Sequence, residues 1–102
     1  MEYLLAHDLG TSGDKAVLFD IRGNVIAETT ASYPVGYPFE KAAEQDPTDW
    51  WAAFCKASQE LLDKSGVEGS DILAVSFSGQ MNSCLPVDAR GMPLRKAMIW
   101  AD

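Results

Sequence analysis

The chain is 102 residues long, with 47% hydrophobic and 23% charged residues. This composition is typical of a folded globular domain and excludes a disordered chain, while the length allows one small domain with a modest core. Fifteen acidic and eight basic residues give a net charge of −7. That balance argues against nucleic acid or an anionic membrane surface as a partner, because both favour a basic protein face.

Three further features predict a cytoplasmic protein with no membrane partner. The apolar runs are short, about five residues, whereas a membrane-spanning helix needs roughly 20. The opening residues Met1-Glu2-Tyr3 lack the basic segment that begins a secretory signal. Cys55 and Cys84 do not show paired spacing. We therefore expect two free thiols in a reducing compartment.

The N-terminal segment predicts a β-hairpin with a polar turn. Apolar runs over 3–6 and 16–19 flank the sequence Asp8-Leu9-Gly10-Thr11-Ser12-Gly13-Asp14-Lys15. Backbone amides of such a turn can bind phosphate oxygens, a carboxylate can hold Mg²⁺ directly or through water, and a lysine adds a point charge. An ordinary hairpin would use the same Gly, Ser and Asp residues for its backbone angles. On this segment alone both interpretations stay open.

The hairpin differs from the common phosphate-binding loops that open a helix. Neither G-x-x-x-x-G-K-[ST] nor G-x-G-x-x-G is present. The run from Ala16 to Phe19 is rich in strand-forming residues and has no helix start signal. A phosphate loop inside a β-hairpin is typical of the actin-like, ribonuclease-H-like ATPases.

The predicted elements have the order βββαβββ. They are strands over 2–8, 16–20 and 25–32, a loop over 33–46, a helix over 47–65, and strands over 72–77, 84–87 and 97–100. The polar turn over 8–15 and a turn built on Gly23 and Asn24 join the first three strands into a meander. The run over 72–77 is nearly all apolar, so we expect a strand buried on both faces.

The helix has clear end signals. Asp46 is a good N-cap, Pro47 fits the first helical position, and Gly66 fits the position after the last turn. The residues expected to face a core at helical spacing are Trp50, Phe54, Ala57 and Leu61.

Four blocks in chain order resemble the N-terminal portion of the FGGY carbohydrate kinases, and among them the xylulokinases. The blocks are Asp8 to Ser12 with Lys15, Phe19-Asp20 and Gly23; Glu44-Gln45-Asp46-Pro47 with Trp50-Trp51; Ser78-Gly79-Gln80-Met81; and Asp88, Gly91, Leu94-Arg95 with Ile99 to Asp102. The resemblance implies an α/β, ribonuclease-H-like (actin-like ATPase) fold. Residues 1–102 would be the truncated N-terminal part of the first domain, with the second domain absent. The end of the chain after an apolar run agrees with that expectation.

The resemblance implies an enzyme that uses ATP and Mg²⁺ to phosphorylate a hydroxyl of a ketopentose such as xylulose, or of a related polyol. Its catalytic aspartate would lie beyond Asp102, so the chain would contain no catalytic residue and would be inactive alone. Carried over residue by residue, Asp8 would hold Mg²⁺. The residues that would bind the ATP phosphates are Gly10, Thr11, Ser12, Gly13 and Lys15. The residues that would line the sugar pocket are Gln80, Met81, Asn82, Trp100 and Asp102.

Simpler roles stand beside these. Asp8 and the glycines can serve the turn alone, Lys15 can be a solvated strand residue, and Trp100 can pack in the core. Gln80 to Asn82 can form an ordinary polar turn after a strand. Trp50 and Trp51 are expected to be packing residues.

Some positions depart from the family pattern. His7 stands where an aliphatic residue is usual, and we expect it to be structural. Asp14 replaces an uncharged residue and should point away from the phosphates. Asn82-Ser83 stands where xylulokinases commonly have His-Gly, which puts xylulose itself in doubt. Cys55 is expected to be a small buried hydrophobe.

Two other classes of protein remain as alternatives. One is a non-catalytic actin-like module that binds nucleotide or sugar, and the other is an independent small domain that shares only the hairpin. The Gln80-Met81 and Trp100 to Asp102 blocks favour the kinase, because a scaffold needs no sugar wall. A homodimer is left open.

Overall fold

The computed structural model describes residues 1–101, so the prediction for Asp102 lies outside the described residues. Its elements are β1 (Tyr3–Leu9), β2 (Gly13–Asp20), β3 (Val25–Ser32), β4 (Glu44–Gln45), α1 (Pro47–Ser65), a 3₁₀ turn (Gly69–Asp71), β5 (Ile72–Gly79) and β6 (Ala97–Met98). No helix in this part of the chain has the length and hydropathy to cross a membrane.

The main sheet has four strands in the order β3-β2-β1-β5. β1, β2 and β3 form the predicted antiparallel meander, whereas β5 runs parallel to β1. Parallel neighbours need a crossover, and α1 supplies it. The turn between β2 and β3 is closed by the Asp20 carboxylate, which accepts from the Arg22 and Asn24 N–H groups, and Gly23 adopts a φ of 87°. The sequence signal for this turn is therefore confirmed.

Helix α1 has the predicted bounds. The Asp46 side chain accepts from the Thr48 N–H at 2.9 Å, Pro47 opens the first turn, and Gly66 adopts a φ of 73° while its N–H bonds the Leu62 carbonyl. The helix packs on β2 and β3. The buried residues of the resulting core are Leu5, Ala16, Leu18, Ala31, Tyr33, Ala53, Ala57 and Leu61.

Two predictions about α1 side chains were wrong. Trp51 is 63% exposed, and Cys55 is exposed as well. Successive helical residues are about 100° apart, so only Trp50 of the tryptophan pair faces the sheet, where it packs against the core. Cys55 lies between the buried positions 53 and 57 and therefore on the opposite face. Both thiols are free, as expected.

The prediction that β5 is buried on both faces was also wrong for the described chain. Leu73, Val75 and Phe77 are 58%, 43% and 57% exposed. β5 pairs only with β1, and among residues 1–101 no strand covers its other edge. The helix lies over β2 and β3 instead. The apolar run therefore predicted the strand but not its surroundings.

The remaining differences lie at short strands. Glu44–Gln45, inside the predicted loop, pairs with Ala97–Met98, so the last strand ends before Trp100. The predicted strand over 84–87 is reduced to two isolated bridges, Cys84 to Met98 and Val87 to Pro93. These pairings depend on long-range contacts, which local patterns do not encode.

Candidate functional site

The polar turn between β1 and β2 directs its carbonyl groups inward. Tyr33 is the main anchor: its hydroxyl donates to the Gly10 carbonyl, and its N–H donates to the Ser12 carbonyl at 3.2 Å. The Gln45 side-chain amide donates to the Thr11 carbonyl at 2.6 Å, and Gly10 N–H donates to the Gly13 carbonyl at 3.0 Å. All four carbonyls of the turn are thus bonded within the chain.

The donors of the same turn are arranged differently. Within residues 1–101, the N–H groups of Thr11 and Ser12 have no acceptor in the chain. Successive free amides in a tight turn form an anion-binding concavity. Because the carbonyl oxygens that would repel an anion are already bonded, the turn has the polarity that phosphate binding requires.

Tyr33 keeps its proton while it anchors this turn. Burial raises the pKa of its hydroxyl to about 12, with added effects from the Asp14 and Asp8 carboxylates. The hydroxyl therefore remains a donor to Gly10 throughout the physiological pH range.

Two backbone positions near the turn have specific requirements. A Cβ on Gly13 would lie 2.6 Å from the Ala31 carbonyl oxygen, so glycine is needed there by the close approach of β3. Asn82 has a φ of 57°, in the left-handed region that Asn tolerates better than most side chains. The sequence offered phosphate binding or a turn role for Gly13, and the structure adds that Gly13 begins strand β2 and is required by its packing.

One hollow of about 470 Å³ brings together residues from both predicted halves of the site. Its lining residues are Asp8, Gly10, Thr11, Gly79, Gln80, Met81, Asn82 and Trp100. β1 and β5 end side by side there, with Leu9 paired to Gly79. Ligands of such sheets bind beyond the ends of parallel strands. The parallel pairing thus places the predicted phosphate and sugar residues next to each other.

Lys15 lies outside that hollow. It pairs directly across from Asp8 on the face of the sheet opposite α1, and both line a second hollow of about 350 Å³. Asp8 contributes to both hollows and therefore connects them. Ser12 and Gly13 line neither one. Ser12 is exposed at the tip of the turn, and Gly13 can contribute only its backbone.

Trp100 is exposed, so the alternative of core packing does not hold in this structure. Its indole N–H donates to the Thr11 hydroxyl at 2.7 Å, and that hydroxyl donates to the Gln80 side-chain oxygen at 3.3 Å. Thr11 therefore joins the turn to the predicted sugar-binding residues on both sides.

The sequence analysis missed Gln45 as a site residue. It is 2% exposed. Its side-chain oxygen accepts from Trp50 Nε1 at 2.9 Å and from Gln80 Nε2 at 2.8 Å, while its nitrogen donates to Thr11. Every polar atom of this buried amide is used. Its place in the Glu44 to Pro47 block was a usable signal, but only the fold shows that it links helix, turn and strand end.

His7 and Asp14, two positions that the sequence analysis singled out, contact each other. His7 Nδ1 lies 2.5 Å from Asp14 Oδ2, and His7 Nε2 lies 3.2 Å from the Ser58 hydroxyl of α1. His7 and Asp14 are almost fully buried. The expectations that His7 is structural and that Asp14 points away from the turn surface agree with this arrangement.

The residues of the site fit a magnesium polyphosphate. No cluster of three potential ligands from His, Cys, Asp or Glu occurs among residues 1–101. Mg²⁺ bound with a nucleotide needs only one or two carboxylates, because phosphate oxygens and waters complete its shell. The exposed Asp8 carboxylate beside the free amides of the turn meets that requirement.

The chain is similar to known sugar and polyol kinases. It is 38% identical over 101 residues to the xylulose kinase of Staphylococcus epidermidis, covering 99% of the chain and 20% of that protein. It is 32% identical over 102 residues to the glycerol kinase of Synechocystis, covering 99% of the chain and 21% of that protein. The crystal structure of a xylulose kinase from Brucella ovis superposes with a TM-score of 0.94 at 35% identity, covering 99% of the chain and 21% of that structure.

The chain thus spans about a fifth of the length of the relatives that it matches. The structural similarity establishes the predicted α/β, actin-like ATPase fold. Residues 3–102 match the model of the FGGY family of carbohydrate kinases, N-terminal domain. The chain therefore belongs to the FGGY family of carbohydrate kinases.

Proposed function

We propose that this chain supplies the phosphate-binding hairpin and one wall of the sugar pocket of an ATP-dependent kinase. The acceptor would be a hydroxyl of a ketopentose such as xylulose, or of a related polyol. The observation that carries the proposal is the position of Thr11. Its backbone belongs to the turn whose carbonyl groups are hydrogen-bonded within the chain, and its hydroxyl contacts both Gln80 and Trp100.

On the phosphate side, the proposed roles follow from polarity. The free amides of Thr11 and Ser12 would bind β- and γ-phosphate oxygens, and their fixed orientation requires no reorganisation during transfer. Bound Mg²⁺ would neutralise charge on the transferring group, and Asp8 would hold it directly or through water. Lys15, across from Asp8, would add a cation on the same face.

On the sugar side, the hollow offers donors and acceptors beside an apolar surface. Gln80 is fixed through Gln45 and Thr11, so its amide is already oriented before a sugar arrives. Asn82 can both donate to and accept from sugar hydroxyls. The exposed indole of Trp100 suits the C–H face of a sugar, and Met81, 76% exposed, adds apolar contact. Asp102, which lies outside the described residues, would accept from sugar hydroxyls.

We propose that proton transfer is carried out by another part of the longer protein. Phosphoryl transfer depends mainly on positioning and electrostatic stabilisation. The residues discussed here would bind and orient the two substrates, while the base that accepts the hydroxyl proton would be supplied beyond residue 102. The isolated chain would therefore show no turnover, and the protein would act in the cytoplasm.

The test is Asp8→Asn in the full-length enzyme, with ADP release measured for xylulose and glycerol as acceptors. We expect a kcat about 10–100-fold lower with the preferred acceptor, because the metal complex loses its carboxylate. Asp63→Asn is the matched control, since Asp63 is an exposed carboxylate on α1 whose side chain accepts a hydrogen bond from Gln59, far from the turn in sequence. Unchanged kinetics for Asp8→Asn would contradict the proposal.

The acceptor comparison separates the kinase from a binding module. A kinase gives acceptor-dependent ADP release by the wild-type full-length protein, and the better of the two acceptors identifies the substrate class. Nucleotide binding without acceptor-dependent turnover for any ketopentose or polyol would instead favour a non-catalytic actin-like module.

A further inference from the structure

The buried contact between His7 and Asp14 lies directly behind the exposed pair Asp8 and Lys15. In the β1–β2 register, Asp8 is opposite Lys15, His7 is opposite Ala16, and Leu9 is opposite Asp14. Side chains alternate between the two faces of a sheet. His7 and Asp14 therefore make a diagonal link on the helix side, and it spans the same two strands that carry the functional pair on the other side.

The imidazole of His7 is fixed on every side. Phe54 and Phe77 lie at centroid distances of 4.5 and 5.6 Å from its ring. Asp14 holds one ring nitrogen and Ser58 the other. The link consequently connects β1, β2 and α1 through a side chain that has little freedom to move.

The pair is not the arrangement that stability alone would favour. Burying a carboxylate and an imidazole costs desolvation, and apolar residues of similar volume often serve as well or better. Within residues 1–101, Asp14 Oδ1 is buried without a hydrogen-bond partner. Unlike apolar packing, the hydrogen bond between His7 and Asp14 is directional. It therefore fixes the position of β1 relative to β2.

We propose that His7 and Asp14 are positioning residues, which hold β1 and β2 so that Asp8 and Lys15 keep the spacing needed for the metal–phosphate complex. This inference rests on the proposed function. It assigns neither residue contact with substrate. Each acts through its strand on the next residue in sequence, His7 on Asp8 and Asp14 on Lys15.

The test compares two kinds of variant in the full-length enzyme. His7→Leu leaves a buried carboxylate alone, so we expect a lower melting temperature and a lower rate. The double variant His7→Leu/Asp14→Ala removes the whole polar link and should regain most of the melting temperature. We expect its kcat to remain roughly ten- to a hundred-fold below wild type, because small displacements of reacting groups have effects of that size.

Two readouts separate positioning from general stability. The KM for the sugar should not change, since Gln80 bonds Leu9, Gln45 and Thr11 rather than the pair. Hydrogen exchange of the amides over residues 10–15 should be faster in the double variant even without substrate. Asp14→Asn, which keeps an oxygen acceptor for His7, should retain most of the rate.

A core variant provides the matched control. Leu61 is fully buried in the core about one turn of α1 beyond Ser58, and Leu61→Ala or Leu61→Val can be chosen to match the melting temperature of His7→Leu. We expect no selective change of exchange over residues 10–15 and no comparable loss of kcat in the control.

Several outcomes would overturn the positioning role. A double variant with wild-type kcat would do so, as would an equal loss of kcat in the Leu61 control. If Asp8→Asn reduces the rate but the double variant does not, the proposed function stands and only the positioning role fails. If Asp8→Asn has no effect, the proposed function itself fails.

Discussion

Two regions of the molecule differ in how their apolar side chains are covered. In the hairpin layer, which comprises β1, β2, β3 and α1, side chains such as Leu18 and Leu61 are fully buried. At the exposed edge, which comprises β5 and residues 80–101, comparable side chains such as Leu73 and Leu94 are 58% and 66% exposed. Both regions are similarly apolar in sequence. An apolar run in the sequence therefore predicts a strand or helix, but the burial of its side chains depends on what packs against it.

The proposed sugar wall belongs to the exposed edge, whereas the proposed phosphate turn belongs to the hairpin layer. Gln45 and Thr11 connect them through Gln80 and Trp100. The chain spans about a fifth of the length of its relatives, and under the proposed function further parts of a longer protein would cover β5. Variants that affect one region but not the other test this division.

The largest stability difference should come from truncating a leucine in each region. Leu18→Ala in the hairpin layer should reduce the free energy of unfolding by about 2–5 kcal/mol, because it leaves a cavity in a closed core. Leu73→Ala at the exposed edge should cost less than about 1 kcal/mol in the 102-residue chain, since most of that side chain is already in water.

Urea unfolding followed by circular dichroism measures both. Equal losses would contradict the division between the two regions. In the full-length enzyme the cost of Leu73→Ala should rise, and a cost that stays small there would show that β5 remains uncovered.

A second comparison uses two glycines of the hairpin turn. Gly13→Ala should lower the free energy of unfolding by about 1–3 kcal/mol, because its Cβ would overlap the Ala31 carbonyl and force the β2–β3 backbones apart. Gly10→Ala is the matched control. Its Cβ would meet only the Gly13 carbonyl, at 3.7 Å, which is ordinary contact.

The measurement is again urea unfolding, with Gly10→Ala close to wild type in stability. A similar loss for both glycines would indicate that backbone freedom rather than strand packing governs the turn.

The smallest difference in stability should come from removing two aspartates that both accept hydrogen bonds from nearby backbone N–H groups. Asp46 caps α1 by accepting from Thr48, and Asp88 closes a turn of the exposed edge by accepting from the Arg90 and Met92 N–H groups. Asp46→Ala should lower the melting temperature by a few degrees, because the capped helix packs on the core. Asp88→Ala should leave it almost unchanged.

The Asp46 effect should depend on pH. Hydrogen bonds from the Thr48 backbone N–H and hydroxyl lower the pKa of the Asp46 carboxyl from its ordinary value of 3.8. A lowered folded-state pKa gives stability that is present above the unfolded value and is lost as the pH falls through the folded one. The melting difference between Asp46→Asn and wild type, measured from pH 6 to 2, should therefore shift in favour of the variant in acid, since Asn also caps and does not titrate. A difference independent of pH would contradict this.

Local signals predicted much of the hairpin layer. The bounds of α1 follow from Asp46, Pro47 and Gly66, and the meander follows from strand runs separated by turns such as Gly23-Asn24. These features depend on neighbours within a few positions. The predictions that failed, for Cys55, Trp51, residues 84–87 and the burial of β5, all concern what packs against an element from elsewhere in the chain.

The sequence alone determined the family, the strand meander and the bounds of α1, and it supplied the candidate residues of the proposed phosphate turn and sugar wall. Only the tertiary structure decided that Gln45 joins these two parts, that His7 and Asp14 form one buried pair, and that Gly13 is required by β3. The physical reason is distance along the chain. Thr11 bonds Trp100 across 89 positions and Gln45 bonds Gln80 across 35. Such contacts form only when the chain is folded, with β1 beside β5 and β4 beside β6.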